Sequence, residues 1–164
     1  GRRAYRAPWV RLRSPDHPPL SNGGAGLLVE CDLFRIVIRR NLYDRQYIYL
    51  REKGGERSFP IVIGYFEAQE IHRKVTGETT VRPLTHDLLR SVVHNLGGQL
   101  KAIEVDALRD NTFFAKLVLD QDGRTLKVDC RPSDAIALAV ADNLPISVEE
   151  TVLAAAPGNL DESP

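Results

Sequence analysis

The sequence predicts an α+β fold: a mostly antiparallel sheet, its strands in two groups of about three, with three helices packed on it. Three observations predict this. Runs of alternating polar and apolar residues are separated by short turns, the pattern of an antiparallel meander. Two stretches, Tyr65 to Thr76 and Thr85 to Leu96, instead repeat apolar residues at helical spacing. Finally, Leu126 to Pro145 packs a strand, a turn and an almost wholly apolar helix into twenty residues, and a helix apolar all round is a buried one. The pattern leaves open whether the sheet closes into a barrel.

The 164 residues suffice for one domain with a substantial core and flanking tails. Residues 1–26, with four prolines and a Ser-Asn-Gly-Gly-Ala-Gly run, read as a flexible basic tail; 27–155 as a single domain; 156–164 as an acidic C-terminal tail. Charge balances at 22 against 22 but is uneven. Arg2, Arg3, Arg6, Arg11 and Arg13 precede any acid, whereas Glu149, Glu150, Asp161 and Glu162 are followed by no base. A basic arm points to nucleic acid or another acidic partner, although such tails are more often simply solvated. No apolar run is long enough to span a bilayer, so no membrane partner is expected. Cys31 and Cys130 lack metal-type spacing and read as small core residues of a reduced, cytoplasmic protein.

In chain order, Leu28 to Ile38, Gln46 to Arg51 and Phe59 to Ile63 read as strands, with Gly54-Gly55 turning between the last two. Pro60 lacks a ladder donor and places the third strand at an edge. Tyr65 to Thr76 reads as a helix with Ala68, Ile71 and Val75 inward, a Glu70–Lys74 surface pair, and Gly77 as its stop. Thr85 is the expected N-cap of an amphipathic helix carrying Leu88, Leu89, Val92, Val93 and Leu96. Gln99 to Leu108, Thr112 to Leu119 and Arg124 to Cys130 follow as strands. Pro132 has its φ set for a first helical turn, Ser133 and Asp134 can accept from free helix N–H groups, and Asn143 and Pro145 supply a left-handed cap and a stop. A short strand, Ile146 to Val148, and a helical turn from Glu149 to Ala155 complete the domain.

Four blocks in this order carry a family resemblance: FPIVIGYFEAQEI at Phe59 to Ile71, RPLTHDLLRSV at Arg82 to Val92, LRDNTFFAKLVL at Leu108 to Leu119, and VDCRPSDAIALAV at Val128 to Val140. Together they resemble the bifunctional nuclease domain family, over roughly Leu28 to Val152. The resemblance implies a sheet-and-helix domain that acts on both DNA and RNA.

Phosphodiester hydrolysis needs an activated water and neutralised phosphate charge, work done by carboxylates holding Mg²⁺ or by His with Arg or Lys. The expected catalytic residues are Glu67, His86, Asp87, Asp129 and Asp134, with Arg109 and Arg131 binding phosphate. Glu67, Glu70, Asp87 and Asp134 are the candidate ligands of a divalent cation such as Mg²⁺; no organic cofactor is expected. Each has a structural reading too: Asp87 and Asp134 stand where dipole compensation places acids, Arg131 can pair with Asp134, and Arg109 can shape a hairpin turn. No H-x-x-x-H, D-x-D or HNH-like spacing occurs. The expected activity is that of a metal-assisted nuclease of broad specificity. Its rivals are a non-catalytic nucleic-acid-binding or regulatory module, using Tyr47, Tyr49, Phe113 and Phe114 to stack bases, and an oligomeric scaffold in which a homo-oligomer covers an apolar sheet edge.

Overall fold

A computed structural model describes residues 26–158; both expected tails lie, but for a few residues, outside the described residues. Seven strands form one sheet in the order β3-β2-β1-β7-β4-β5-β6: β1 (Leu28–Val37), β2 (Gln46–Glu52), β3 (Ser58–Ile63), β4 (Gly98–Arg109), β5 (Thr112–Gln121), β6 (Arg124–Cys130) and β7 (Ile146–Glu149). The helices are α1 (Tyr65–Thr76), α2 (Thr85–Asn95), α3 (Pro132–Asp142) and α4 (Glu150–Ala155). The expected α+β class holds, with the last helical turn adding a fourth helix.

The two groups of three strands are two antiparallel meanders, β1-β2-β3 and β4-β5-β6, with short turns at every step except the longer connection, residues 38–45, between β1 and β2. β7 is the link between them: it pairs antiparallel with β1 and parallel with β4, setting Ile103 opposite Ile146 and Val105 opposite Val148. The sheet is not a closed barrel, since β3 and β6 remain its two edges. It curls enough for Phe59 of β3 to stack on Phe113 of β5 at 5.5 Å between ring centres. Pro60 sits on the β3 edge, where its missing N–H costs no ladder bond.

Against the concave face lies α3, with Ala135 to Ala139 wholly buried among Ile48, Leu50, Ile71, Ile103 and Val148. Ala, with no side-chain entropy to lose, lets the helix approach both the sheet and α1 closely. Pro132 opens it and Asn143, at φ 51°, closes it in the left-handed region, as the sequence implies. Cys31 and Cys130 are free thiols, and burial pushes them up to about 11 and about 12 respectively. No helix among the described residues is long and apolar enough to cross a membrane.

Four features of α1 and α2 depart from the expected pattern. Val75 is exposed, and Lys74, expected on the surface, has a side chain only 8% exposed. Thr85 does not cap α2: Leu84 occupies the N-cap, and its N–H donates instead to Asp87 at 3.0 Å. No residue of the apolar stripe of α2 is fully buried, with Leu88 57% and Leu96 69% exposed and Val93 half-buried. The cause is rotational. His86 binds Asp134 and Arg90 binds Asp142, both on α3, so the ion-pairing face turns inward and the Leu88–Val92–Leu96 face turns out.

Candidate active site

The three helices meet beside β5 and β6 around a cleft of about 1210 Å³, lined by Glu67 and Glu70 of α1, His86 of α2, Phe113, Phe114 and Cys130 of the sheet, and Arg131 and Asp134 at the start of α3. Each polar group arrives for a local reason. Glu67 and Glu70 are one helical turn apart and share a face. Gly64 caps α1, and Glu67 folds back over it so closely that an added Cβ would collide with its Oε2. Arg131 is the last extended residue before α3, where the chain turns out of β6.

These side chains form one chain of alternating charge. Asp87 accepts from Lys74, from Arg73 Nη2 at 2.9 Å and from the Leu84 N–H. Arg73 also grips Glu70 with two bonds of 2.8 Å. Glu70 Oε1 lies 3.9 Å from His86 Nδ1, beyond hydrogen-bonding reach. His86 Nε2 stands 3.0 Å from Asp134 Oδ1, and Asp134 accepts from Arg131 Nε at 2.8 Å and Nη2 at 3.1 Å. Finally Arg131 Nη1 donates to Glu67 at 3.0 Å, and the Arg131 side chain is 64% exposed at the mouth of the cleft.

The electrostatics follow from these bonds. The hydrogen bond to His86, opposed by burial and reinforced by Arg131, holds the Asp134 carboxyl at about 2. At Asp87 burial pushes upward, but Lys74, the Leu84 N–H and Arg73 outweigh it and the carboxyl again falls to about 2. The guanidinium of Arg131 is stabilised in its charged form chiefly by Asp134. Asp134 is therefore ionised and can only accept, so whenever the His86 ring carries a single proton that proton lies on Nε2. Its lone pair then sits on Nδ1, which has no hydrogen bond among the described residues.

Of the expected site residues, the fold joins Glu67, Glu70, His86, Arg131 and Asp134. It sets three aside. Asp87 joins the chain through Arg73 and Lys74 and lines a separate groove of about 900 Å³ beyond α2. Asp129 is at the rim but alternates with Val128 and Cys130, which turns its carboxylate to the other face of the sheet, where Lys116 donates to it at 2.6 Å. Arg109 lies at the β4–β5 hairpin over the Phe114 ring, 5.6 Å from its centre. Sequence reading missed Arg73 and Lys74 as the link between α1 and α2; their place one turn beyond Glu70 was the available signal.

The four acids do not fit the ligand set expected of them. Among the described residues no three His, Cys, Asp or Glu side chains converge on a point where a metal ion could be held. Three side-chain cations, Arg73, Lys74 and Arg131, already separate Glu67, Glu70, Asp87 and Asp134, and a divalent ion would have to displace them.

Comparison with known proteins adds a separate line of observation. A family model described as the bifunctional nuclease domain matches residues 48–160. An uncharacterized protein of Mycobacterium tuberculosis is 45% identical over 109 residues, which cover 66% of this chain and 65% of that protein. Bifunctional nuclease 2 of Oryza sativa subsp. japonica is 24% identical over 62% of this chain and 32% of its own length, and bifunctional nuclease 1 of Arabidopsis thaliana 26% identical over 60% and 31%. The matched region thus spans just under two thirds of the mycobacterial relative and about a third of each plant one.

Proposed function

Because the chain belongs to the bifunctional nuclease domain family, we propose that it hydrolyses phosphodiester bonds in both DNA and RNA, with the cleft between His86 and Arg131 as its active site. The observation that carries this reading is His86 held by an ionised Asp134 through Nε2, with Nδ1 left as the basic nitrogen. In the proposed step, Nδ1 takes a proton as the water oxygen forms its bond to phosphorus. The bond from phosphorus to the leaving sugar oxygen breaks, and the imidazolium returns the proton to that oxygen. Arg131 presents an exposed guanidinium, and a phosphate that takes over its outer N–H groups has its negative charge neutralised where it grows during attack.

Breadth of substrate fits the lining. Phosphate neutralisation by Arg131 ignores both the base and the sugar. No step here passes through a metal, and Mg²⁺ enters as a variable of the assay.

One observation favours a second reading. Every carboxylate of the cleft faces a cation, which is what a structural network in a non-catalytic nucleic-acid-binding module would also show. Purified protein incubated with single-stranded DNA and RNA, in Mg²⁺ and in chelator, separates the two. We expect cleavage of both substrates, reduced about 100-fold or more in His86→Ala with the fold intact by circular dichroism. Undiminished cleavage in that variant moves the site elsewhere. Salt-dependent binding without turnover supports the binding module and overturns the enzyme.

A further inference from the structure

The α2 stripe and the β6 edge together form an apolar surface that nothing among the described residues covers. Leu126 and Val128 lie on the helix-bearing face of the sheet yet are 41% and 44% exposed, because α2 packs over β4 and stops short of the edge. Leu89 of α2 shares the lining of the cleft with Val128, and Leu88, Val92 and Leu96 stand exposed on the same helix. These exposed side chains make an apolar strip along the open edge of the sheet, and Thr125, Lys127 and Asp129 stand on the opposite face of the same strand. Beside it the far edge of β6 carries unpaired backbone groups, since its only partner among the described residues is β5.

We infer that this surface is a two-fold interface with a second copy of the chain, formed by antiparallel pairing of β6 with β6 in a register centred on Val128. The register follows from the side chains. A two-fold axis perpendicular to the sheet keeps the helix faces on one side, so only pairings that set like-facing residues opposite each other are allowed. Centring on Lys127 would place two ammonium groups face to face. Centring on Val128 sets Lys127 against the partner subunit's Asp129 and Asp129 against the partner subunit's Lys127, with Val128 on Val128 and Leu126 on Cys130. The charge pattern of β6 is self-complementary in that register, where Lys127 and Asp129, bound within their own sheet to Glu104 and Lys116, extend those ion pairs across the axis, and α2 from each subunit closes over the shared apolar strip. The same pairing closes the open flank of each cleft at Cys130, so two clefts lie side by side across the axis. This holds whether or not the cleft is catalytic.

Charge reversal tests both the dimer and its register. By light scattering at micromolar concentration the wild-type chain should have twice its sequence mass. Lys127→Asp alone and Asp129→Lys alone should each be monomeric, because each sets like charges opposite one another twice. Mixed in equal amounts, the two variants should restore the dimer, since every cross-strand pair is then of opposite sign. Independently, Val128→Cys should form an intersubunit disulfide on mild oxidation in protein that folds normally. A monomeric wild type overturns the proposal, as does a dimer that survives both single reversals or a Val128→Cys protein that yields no cross-link.

Discussion

At the residue scale, the site turns on one carboxylate with two jobs. Asp134 orients His86 and anchors Arg131, so it positions the groups that would touch substrate. Asp134→Asn keeps the shape but offers Nε2 an ambiguous partner and frees the wrong imidazole tautomer. Turnover is expected to fall on the order of 100-fold or more, with a shifted pH profile and an unchanged circular dichroism spectrum. A purely structural Asp134 would instead lower the melting temperature and leave the pH profile in place. The sequence showed an acid in the first turn of α3 and suggested a cap. It could not show that the side chain turns away from its own helix to meet a histidine 48 positions earlier. Nothing in local spacing encodes a contact of that range.

At the scale of elements, α2 is a helix attached by charge. None of its residues is buried, and its inward bonds are those of His86 to Asp134, Arg90 to Asp142 and Asp87 to Lys74 and Arg73. Screening weakens such bonds where apolar packing would be unaffected. Amide exchange in α2 should accelerate on going from 0.1 to about 1 M salt while α3 stays protected, and Arg90→Ala should reproduce the loosening at low salt. Equal protection of the two helices at high salt would show that packing, not charge, holds α2. Amphipathicity was plainly legible here, yet its usual meaning failed. The apolar stripe says that a face must be covered, not that the chain's own core covers it.

At the scale of the whole molecule, the charge chain should set the acid limit of stability. Asp87 and Asp134 fall from the ordinary 3.8 to about 2 on folding, so the unfolded chain binds more protons in that window. Their contribution is fully present above about pH 4 and is lost as pH falls toward 2, by roughly 1–2 kcal/mol each. Thermal unfolding followed from pH 5 to pH 2 should show this loss, and Asp87→Asn should flatten the slope; an unchanged slope would remove Asp87 from the chain. What the sequence by itself determined is the local inventory: two groups of three strands, the second an antiparallel meander closed by short turns, and an apolar helix that must be central. Period, caps and turns are written within a few residues of where they act. The tertiary structure alone decided that β7 joins the meanders by lying parallel to β4, that α2 faces its stripe outward, and that Glu67, Glu70, His86, Arg131 and Asp134 gather while Asp87, Asp129 and Arg109 do not. Those outcomes depend on the rotation of each helix and the curl of the sheet, which are set by long-range packing and pairing rather than by any local pattern.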